Sequence, residues 1–390
     1  MQILHISDTH LGCMQFNLKE REEDVYEAFN EAIDTAIKDK VYAVVHSGDI
    51  FHVPRSSGSA LHNLALALKR LNEHNIKFFF TLGEHDISRV KDRPLPLIFH
   101  RLNMAEYVGD GKAHIHDNLL IIGLHKHRKS EYDTLLNELK RICNEGKAYP
   151  STKKVLVLHQ GLYEFHRYAG ELSVNDLPEG FDYYAMGHLH DHACKVFNDI
   201  GIVCYPGSID LTPGEGIRDV KKGFCIVDLS STEAKVEFVE IRSSRKSMLY
   251  EIDYENLDSS IASILNQVRS ISNGKKPLVY VKVRSRSPMV DNLRISSILA
   301  RLNEYCLHYT WESVVMNSMQ SKVYTQRPDI DKELLSLAEN VLGDSKSAEF
   351  AVHDLLSMLV NDRVDDAIDA VWKRFHDMLK INTNRYDKQG

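Results

Sequence analysis

The stretch Gln2-Ile3-Leu4-His5-Ile6-Ser7-Asp8-Thr9-His10 decides how this chain is read. A short apolar run of this kind reads as a buried strand. If the backbone stays extended past its end, Asp8 and His10 project to the same side and can share one ligand site. The arrangement recurs. The apolar run 42–47 leads into Gly48-Asp49, and 77–82 leads into Gly83-Glu84-His85-Asp86. Val155-Leu156-Val157-Leu158 ends on His159, and a strand-rich region carries Gly187-His188-Leu189-His190. Ligands collected at strand ends are what the crevice of an α/β sheet offers. The glycine before Asp49 lets the backbone turn sharply there.

Helical periodicity fills the intervals. Segments 20–38, 59–73 and 95–103 read as helices, and in the first of them Val25, Phe29, Ala32, Ile33 and Ala36 recur on one face. A strand at 119–124, a helix at 130–145 and a strand at 154–158 follow. From 182 to 229 the text becomes strand-rich, with Gly201, Pro206-Gly207 and Gly214 as turn signals. The alternation predicts the α/β class: a two-sheet core flanked by helices. The polar stretch Ser243-Ser244-Arg245-Lys246-Ser247 reads as a linker. A small β-α-β-α-β unit follows, with strands 248–253, 277–284 and 307–315 and helices 257–271 and 291–303. Gln326-Arg327-Pro328 breaks the chain again. Beyond it helices are expected near 330–342, 346–361 and 363–380, the last with an apolar stripe of Val364, Ile368, Val371, Trp372, Phe375, Met378 and Leu379. The expected domains are therefore 1–242, 248–325 and 328–390.

Composition narrows the class. The chain has 390 residues, 43% of them hydrophobic, and a net charge of −7. That excludes a protein basic overall, but a local basic groove remains compatible with nucleic acid. The six cysteines form no Cys-x-x-Cys pair and are expected to be reduced and mostly buried. No signal peptide is visible, and no apolar run approaches the roughly 20 residues that span a bilayer. The expectation is a soluble, cytoplasmic, nucleoid-associated protein without membrane contact.

Mixed carboxylate and imidazole donors suit manganese, iron or zinc more than calcium. There are enough of them for two divalent ions side by side, which is the apparatus of phosphoester hydrolysis. A lone histidine after a strand is usually structural, and this chain has 20 histidines. The weight lies on the compound order Asp-x-His, Gly-Asp, Gly-Glu-His-Asp and Gly-His-x-His, each after an apolar run.

That series resembles the calcineurin-like metallophosphoesterase superfamily. The opening segment through Leu11-Gly12, the piece Gly48-Asp49-Ile50-Phe51-His52 and Tyr205-Pro206-Gly207-Ser208 resemble its Mre/SbcD-type double-strand-break repair nucleases, of the archaeal, short-tailed kind. The resemblance implies two manganese ions. Asp8, His10, Asp49 and His190 would hold one; Asp49 would bridge to a second held by Glu84, His159 and His188. It implies that a metal-bound hydroxide attacks the phosphodiester and that His85 assists the leaving oxygen. Asp86 is expected to orient His85, and His52 to face the phosphate. Relatives usually carry asparagine where this chain has Glu84. The implied activities are 3'-5' exonuclease on double-stranded DNA and endonuclease on single strands.

Loop cations near the motifs could follow DNA phosphates: Arg55, Lys91, Arg93, Lys126, Arg128 and Lys129, with Arg167, Arg218, Lys221 and Lys222. Lys282, Arg284 and Arg286 in the small unit suit a domain capping the duplex. The resemblance further implies a homodimer through Leu61, Leu64, Leu68 and Leu71 with Leu95, Leu97, Ile98 and Leu102. It also implies an SbcC-type coiled-coil ABC ATPase docked on the helical tail, giving a heterotetramer. The alternatives are a small-substrate or protein metallophosphatase on the same core, or a non-catalytic adaptor.

Overall fold

The computed structural model describes residues 1–88, 92–150, 152–270, 274–287, 289–316, 330–356, 358, 367–368 and 370–375. Twelve core strands run Gln2–Ile6 (β1), Ala43–His46 (β2), Lys77–Phe80 (β3), Glu106–Tyr107 (β4), His114–His116 (β5), Leu119–Leu124 (β6), Lys153–His159 (β7), Tyr183–Gly187 (β8), Ala193–Phe197 (β9), Gly201–Tyr205 (β10), Gly223–Asp228 (β11) and Lys235–Glu240 (β12). They form two six-stranded sheets, ordered β12-β11-β1-β2-β3-β4 and β5-β6-β7-β8-β10-β9. In the first sheet β1, β2, β3 and β4 are parallel; in the second β6, β7 and β8 are.

Strand periodicity explains why these runs are apolar throughout. Odd and even residues serve different layers, and both are buried. Ile3, Val45 and Phe79 of the first sheet meet Ile121, Val155 and Ala185 of the second between the sheets. Leu4, Val44 and Phe80 point the other way. They pack on Phe29 and Ile33 of Lys19–Lys38 (α1) and on Leu64 and Leu68 of Gly58–Glu73 (α2). Leu120, Leu156 and Met186 leave the second sheet outward, onto Leu135, Leu139 and Ile142 of Tyr132–Lys147 (α4). The order helix, sheet, sheet, helix follows. The expected 95–103 helix shortens to Leu97–Arg101 (α3); Pro94 and Pro96 supply no N–H to a helical ladder.

The same compact unit carries a smaller parallel sheet, Ser247–Asp253 (β13), Leu278–Ser285 (β14) and His308–Val315 (β15), with Leu257–Arg269 (α5) and Asn292–Leu299 (α6). Val279, Val281 and Val283 of β14 bury one face against Ile261, Leu265 and Ile295. Arg245 and Lys275 reach back to Asp24 of α1 at 2.7 and 2.9 Å, and Arg21 holds the same carboxylate at 2.6 Å.

A second unit comprises His127–Asp133 and Met319–Gly390. It contains Ile330–Leu342 (α7) and Ser345–Glu349 (α8), whose N-terminus is capped by the Asp344 carboxylate accepting from Ser347 N–H at 2.8 Å. Its Leu337, Val341, Ile368, Val371, Trp372 and Phe375 are exposed. Val364, Met378 and Leu379 of the expected stripe lie outside the described residues. Among those described, no helix is long and apolar enough to cross a membrane.

Two expectations are corrected here. Cys194 and Cys204 are joined, while Cys13, Cys143, Cys225 and Cys306 are free. The joined pair stand in register across β9 and β10, a juxtaposition that their linear separation hides. The leucine stripe of α2 is also not a free face: Leu64, Leu68 and Leu71 are buried in the chain's own core, and Leu61 packs against it. The exposed apolar side chains on these helices are Leu66, Ile98 and Leu102.

Candidate metal centre

All the candidate ligands leave the same ends of the parallel strands. Asp8 and His10 follow β1, Asp49 follows β2, Glu84 follows β3, His159 closes β7 and His188 follows β8. The expected extended path past β1 does not hold. Asp8 (φ 50°), His10 (φ 44°) and Asp49 (φ 55°) adopt left-handed backbone, as does His188 (φ 97°). Such conformations cost of order 1–3 kcal/mol each and persist where surroundings over-determine them. Here the surroundings are backbone hydrogen bonds between the β1 and β2 loops: Asp8 N–H donates to Gly48 O, His10 N–H to Asp49 O and Leu11 N–H to Ile50 O.

Tight loop packing brings the donors together. A Cβ on Gly83 would lie 2.1 Å from Asp49 Oδ1, and one on Gly48 would lie 2.3 Å from His159 Nδ1. Asp8, His10 and His190 form one donor group, and Glu84, His159 and His188 another. Glu84 spans the second, its two oxygens 2.8 Å from His159 Nε2 and 2.8 Å from His188 Nδ1. Asp49 Oδ2 lies between the groups, 3.9 Å from His10 Nε2 and 3.5 Å from His159 Nε2.

The donor chemistry fits divalent ions. His159 Nε2 and His188 Nδ1 are buried and face carboxylate oxygens, chiefly those of Glu84 at 2.8 Å each, a convergence of imidazole and carboxylate donors on one point that suits a shared cation. His159 Nδ1 is engaged at 2.7 Å with Ser47 O, which fixes the ring and leaves Nε2 facing the carboxylates. Electrostatics agree. Burial pushes the Asp49 carboxyl up, but His159 outweighs it and the group ends at about 2. Burial likewise lowers His159, and the charges of Asp49 and Glu84 overcome it, holding the imidazole well above its usual range. The pocket thus favours positive charge at its centre.

A surrounding layer was not singled out by the motif reading. His5 bonds Tyr183 Oη and Ser47 Oγ at 2.8 Å each, and His46 bonds Thr9 Oγ1 at 3.0 Å while accepting from Gly48 N–H. Burial first, then nearby imidazoles, push both down to about 3, so they are neutral braces. Behind His190 stand Thr212, Glu215 and Lys222; Lys222 Nζ binds Glu215 at 2.6 Å and His190 O at 2.9 Å. Ser208 N–H also donates to His190 O, which gives the Tyr205-Pro206-Gly207-Ser208 stretch its place.

His85 lies beside His10 and His52, with ring centroids at 4.9 and 5.6 Å. Its Nδ1 is 2.8 Å from the His52 carbonyl oxygen, so Nδ1–H donates there and Nε2 is left for proton exchange. This corrects the role expected of Asp86. That carboxylate is fully buried and accepts from the N–H groups of Ile50, Phe51 and Gly83. It ties the β2 and β3 loops together, and the His52 backbone orients His85 instead.

The cation set is also corrected in part. Lys126 Nζ sits 2.6 Å from Glu171 and 4.0 Å from Glu84, its side chain only 8% exposed. It neutralises carboxylates and is not presented to a phosphate. Lys222 is buried in its pair, Arg218 is matched by Asp191 and Glu215, and Lys221 by Glu240. Lys282 and Arg284 face Glu312, Glu251 and Asp253 across their sheet. Arg55 is exposed beside Asp92, and Arg93 is exposed as well. Arg128 and Lys129 belong to the second unit. Lys91 lies outside the described residues.

A family model for calcineurin-like phosphoesterases matches residues 1–192. The DNA double-strand break repair protein Mre11 of Sulfolobus acidocaldarius is 31% identical, with 79% of this chain and 81% of that protein covered. Its counterpart from Methanocaldococcus jannaschii is 34% identical over 75% and 80%. That of Saccharolobus solfataricus is 28% identical over 96% and 98%. The chain belongs to the Mre11 family, within the calcineurin-like phosphoesterases.

Proposed function

We propose that this chain is a manganese-dependent DNA nuclease of double-strand-break repair, cutting duplex ends 3'-5' and single strands internally. The observation that carries the reading is the position of Asp49 between two donor groups, Asp8-His10-His190 and Glu84-His159-His188. Those residues would hold two ions, and bound ions would neutralise the phosphodiester and make a nucleophile available at neutral pH. The protein's own part is to hold and time charge. His85, with Nδ1–H fixed on the His52 carbonyl, would take part as the imidazolium, giving its second proton from Nε2 to the departing sugar oxygen and remaining as the neutral ring. Asp86 keeps the β2 and β3 loops at the separation that Asp49 and Glu84 need. The relatives' names supply the substrate class, DNA.

Exposed Leu66, Ile98 and Leu102 supply a face for a homodimer. The exposed apolar side chains of the second unit are the proposed seat of a coiled-coil ATPase, the two completing a heterotetramer. Deleting 328–390 should abolish co-purification with that ATPase and leave isolated nuclease activity.

Labelled duplex DNA and a generic aryl phosphate ester, each offered with manganese, test the central reading. Degradation of the duplex supports it. Turnover of the ester alone would assign a small-substrate phosphatase, and no turnover of either would leave an adaptor.

A further inference from the structure

Two residues past His190, at the edge of the sandwich, lies a second cluster of metal-ligating side chains that the phosphoesterase centre does not use. His192, Cys194, Cys204 and Cys225 place one donor atom each within 4.8 Å of one another. Three elements supply the thiols. Cys194 is on β9, Cys204 pairs with it in register on β10, and Cys225 comes from β11 in the facing sheet. Cys204 and Cys225 are buried in the layer between the sheets, and Cys194 is at the solvent edge. His192 is held by stacking on Phe238 of β12, with centroids at 4.2 Å.

We propose that the reduced chain binds one zinc ion here, through three cysteine thiolates and His192 Nδ1. Zinc–sulfur bonds of about 2.3 Å in a tetrahedron set sulfurs roughly 3.8 Å apart. Cys204 and Cys225 stand at 3.7 Å, and Cys225 stands 3.9 Å from His192 Nδ1. Three thiolates and one imidazole are a soft donor set that selects zinc over the harder manganese. A buried thiolate without a cation is costly, and a dication offsets that cost. The ion would staple the two sheets beside the strand end that carries His188 and His190.

In this structure Cys194 and Cys204 are joined, so the zinc form requires their reduction. A dithiol reductant transfers two electrons, opens the bond to two thiols and leaves as a cyclic disulfide. Zinc then displaces one proton from each of three thiols. His192 Nδ1, 3.0 Å from the Tyr205 carbonyl oxygen, releases that contact, and the ring proton resides on Nε2. The exposed edge at Cys194 gives entry.

The test is cobalt substitution of the full chain, reduced with dithiothreitol and freed of excess reductant. The phosphoesterase ligands include no sulfur, so a thiolate-to-cobalt charge-transfer band reports on this cluster alone. The expected result is that band at one cobalt per chain, displaced by one zinc. It should be absent from Cys194→Ser, which alters an exposed side chain, and from Cys225→Ser. Retention of two manganese ions by both variants would show that the phosphoesterase centre is intact. A fully reduced parent that shows six titratable thiols and no such band overturns the proposal. So does a parent that keeps only four thiols under the same treatment, because the cross-strand bond would then be permanent.

Discussion

Glu84 is the residue on which the charge of the second donor group most depends. A carboxylate reaching His159 and His188 at 2.8 Å each adds negative charge beside both expected ions. That should tighten metal binding and weaken the ions' Lewis acidity. Lys126, 4.0 Å away, offsets part of the charge. Glu84→Asn is therefore expected to change the ranking of manganese, magnesium and zinc in activity titrations; superimposable profiles would remove the idea. Asp86 makes a different prediction. Asp86→Ala leaves three buried N–H donors without their acceptor, at about 1–3 kcal/mol for a stranded group. Denaturant midpoints should report a loss of at least about 2 kcal/mol. At this scale the sequence brought the candidate donors into view, because Asp, His and Gly after apolar runs leave a visible trace. It did not show which group holds which. Asp86 follows His85 directly, yet bonds backbone 35 residues away at Phe51, and the His52 carbonyl that orients His85 has no side-chain signature. The neutralised state of Lys126 was equally hidden, since Glu171 is distant in the chain.

The unit that makes the centre is the strand-to-loop junction, repeated on both sheets. Each parallel strand ends in a loop whose path is set by the loop beside it, so a distortion in one reaches its neighbour's ligand. Gly83→Ala is the sharpest case. The added methyl would collide with Asp49 Oδ1 and with Asp49 N, at 2.1 and 2.6 Å. The expected outcome is loss of most manganese affinity with little change in far-ultraviolet circular dichroism, read by equilibrium dialysis and spectra on one sample. Strands and long helices were legible because their faces repeat every two residues or every 3.6. The left-handed turns at Asp8, His10 and Asp49 were not, because hydrogen bonds from a separate loop impose them. The α2 stripe misled for a related reason: periodicity reveals an apolar face but not what covers it.

For the molecule as a whole, the small three-stranded sheet is tied to the core by one buried carboxylate together with an apolar contact of Leu278 with Leu211 and Ile217. Asp24, 2% exposed, accepts from Arg21, Arg245 and Lys275. Asp24→Ala strands these cations, and breaking a buried pair costs about 3–5 kcal/mol; part of that is spared because Arg21 also holds Asp210 at 2.9 Å. A loss of roughly 3 kcal/mol in chemical denaturation is expected. Burial raises the Asp24 carboxyl, and its hydrogen bonds to Arg245 and Lys275 outweigh this, so the folded group titrates below its ordinary range. The stabilisation is therefore complete above about pH 4 and fades as pH falls through the folded value. The parent should lose more stability than the variant on acidification, and parallel acid profiles would contradict that.

The division of labour in this site is tested by a metal count joined to a cleavage assay on three proteins: the parent, Asp49→Ala and His85→Ala. The parent is expected to hold two manganese ions and to degrade duplex DNA. Asp49→Ala should lose metal and activity together. His85→Ala should keep both ions and lose roughly 10²–10⁴-fold in cleavage, the usual share of a positioned proton donor. Unchanged cleavage by His85→Ala, or loss of its metal, would contradict the division of this site into ion ligands and a separate proton donor.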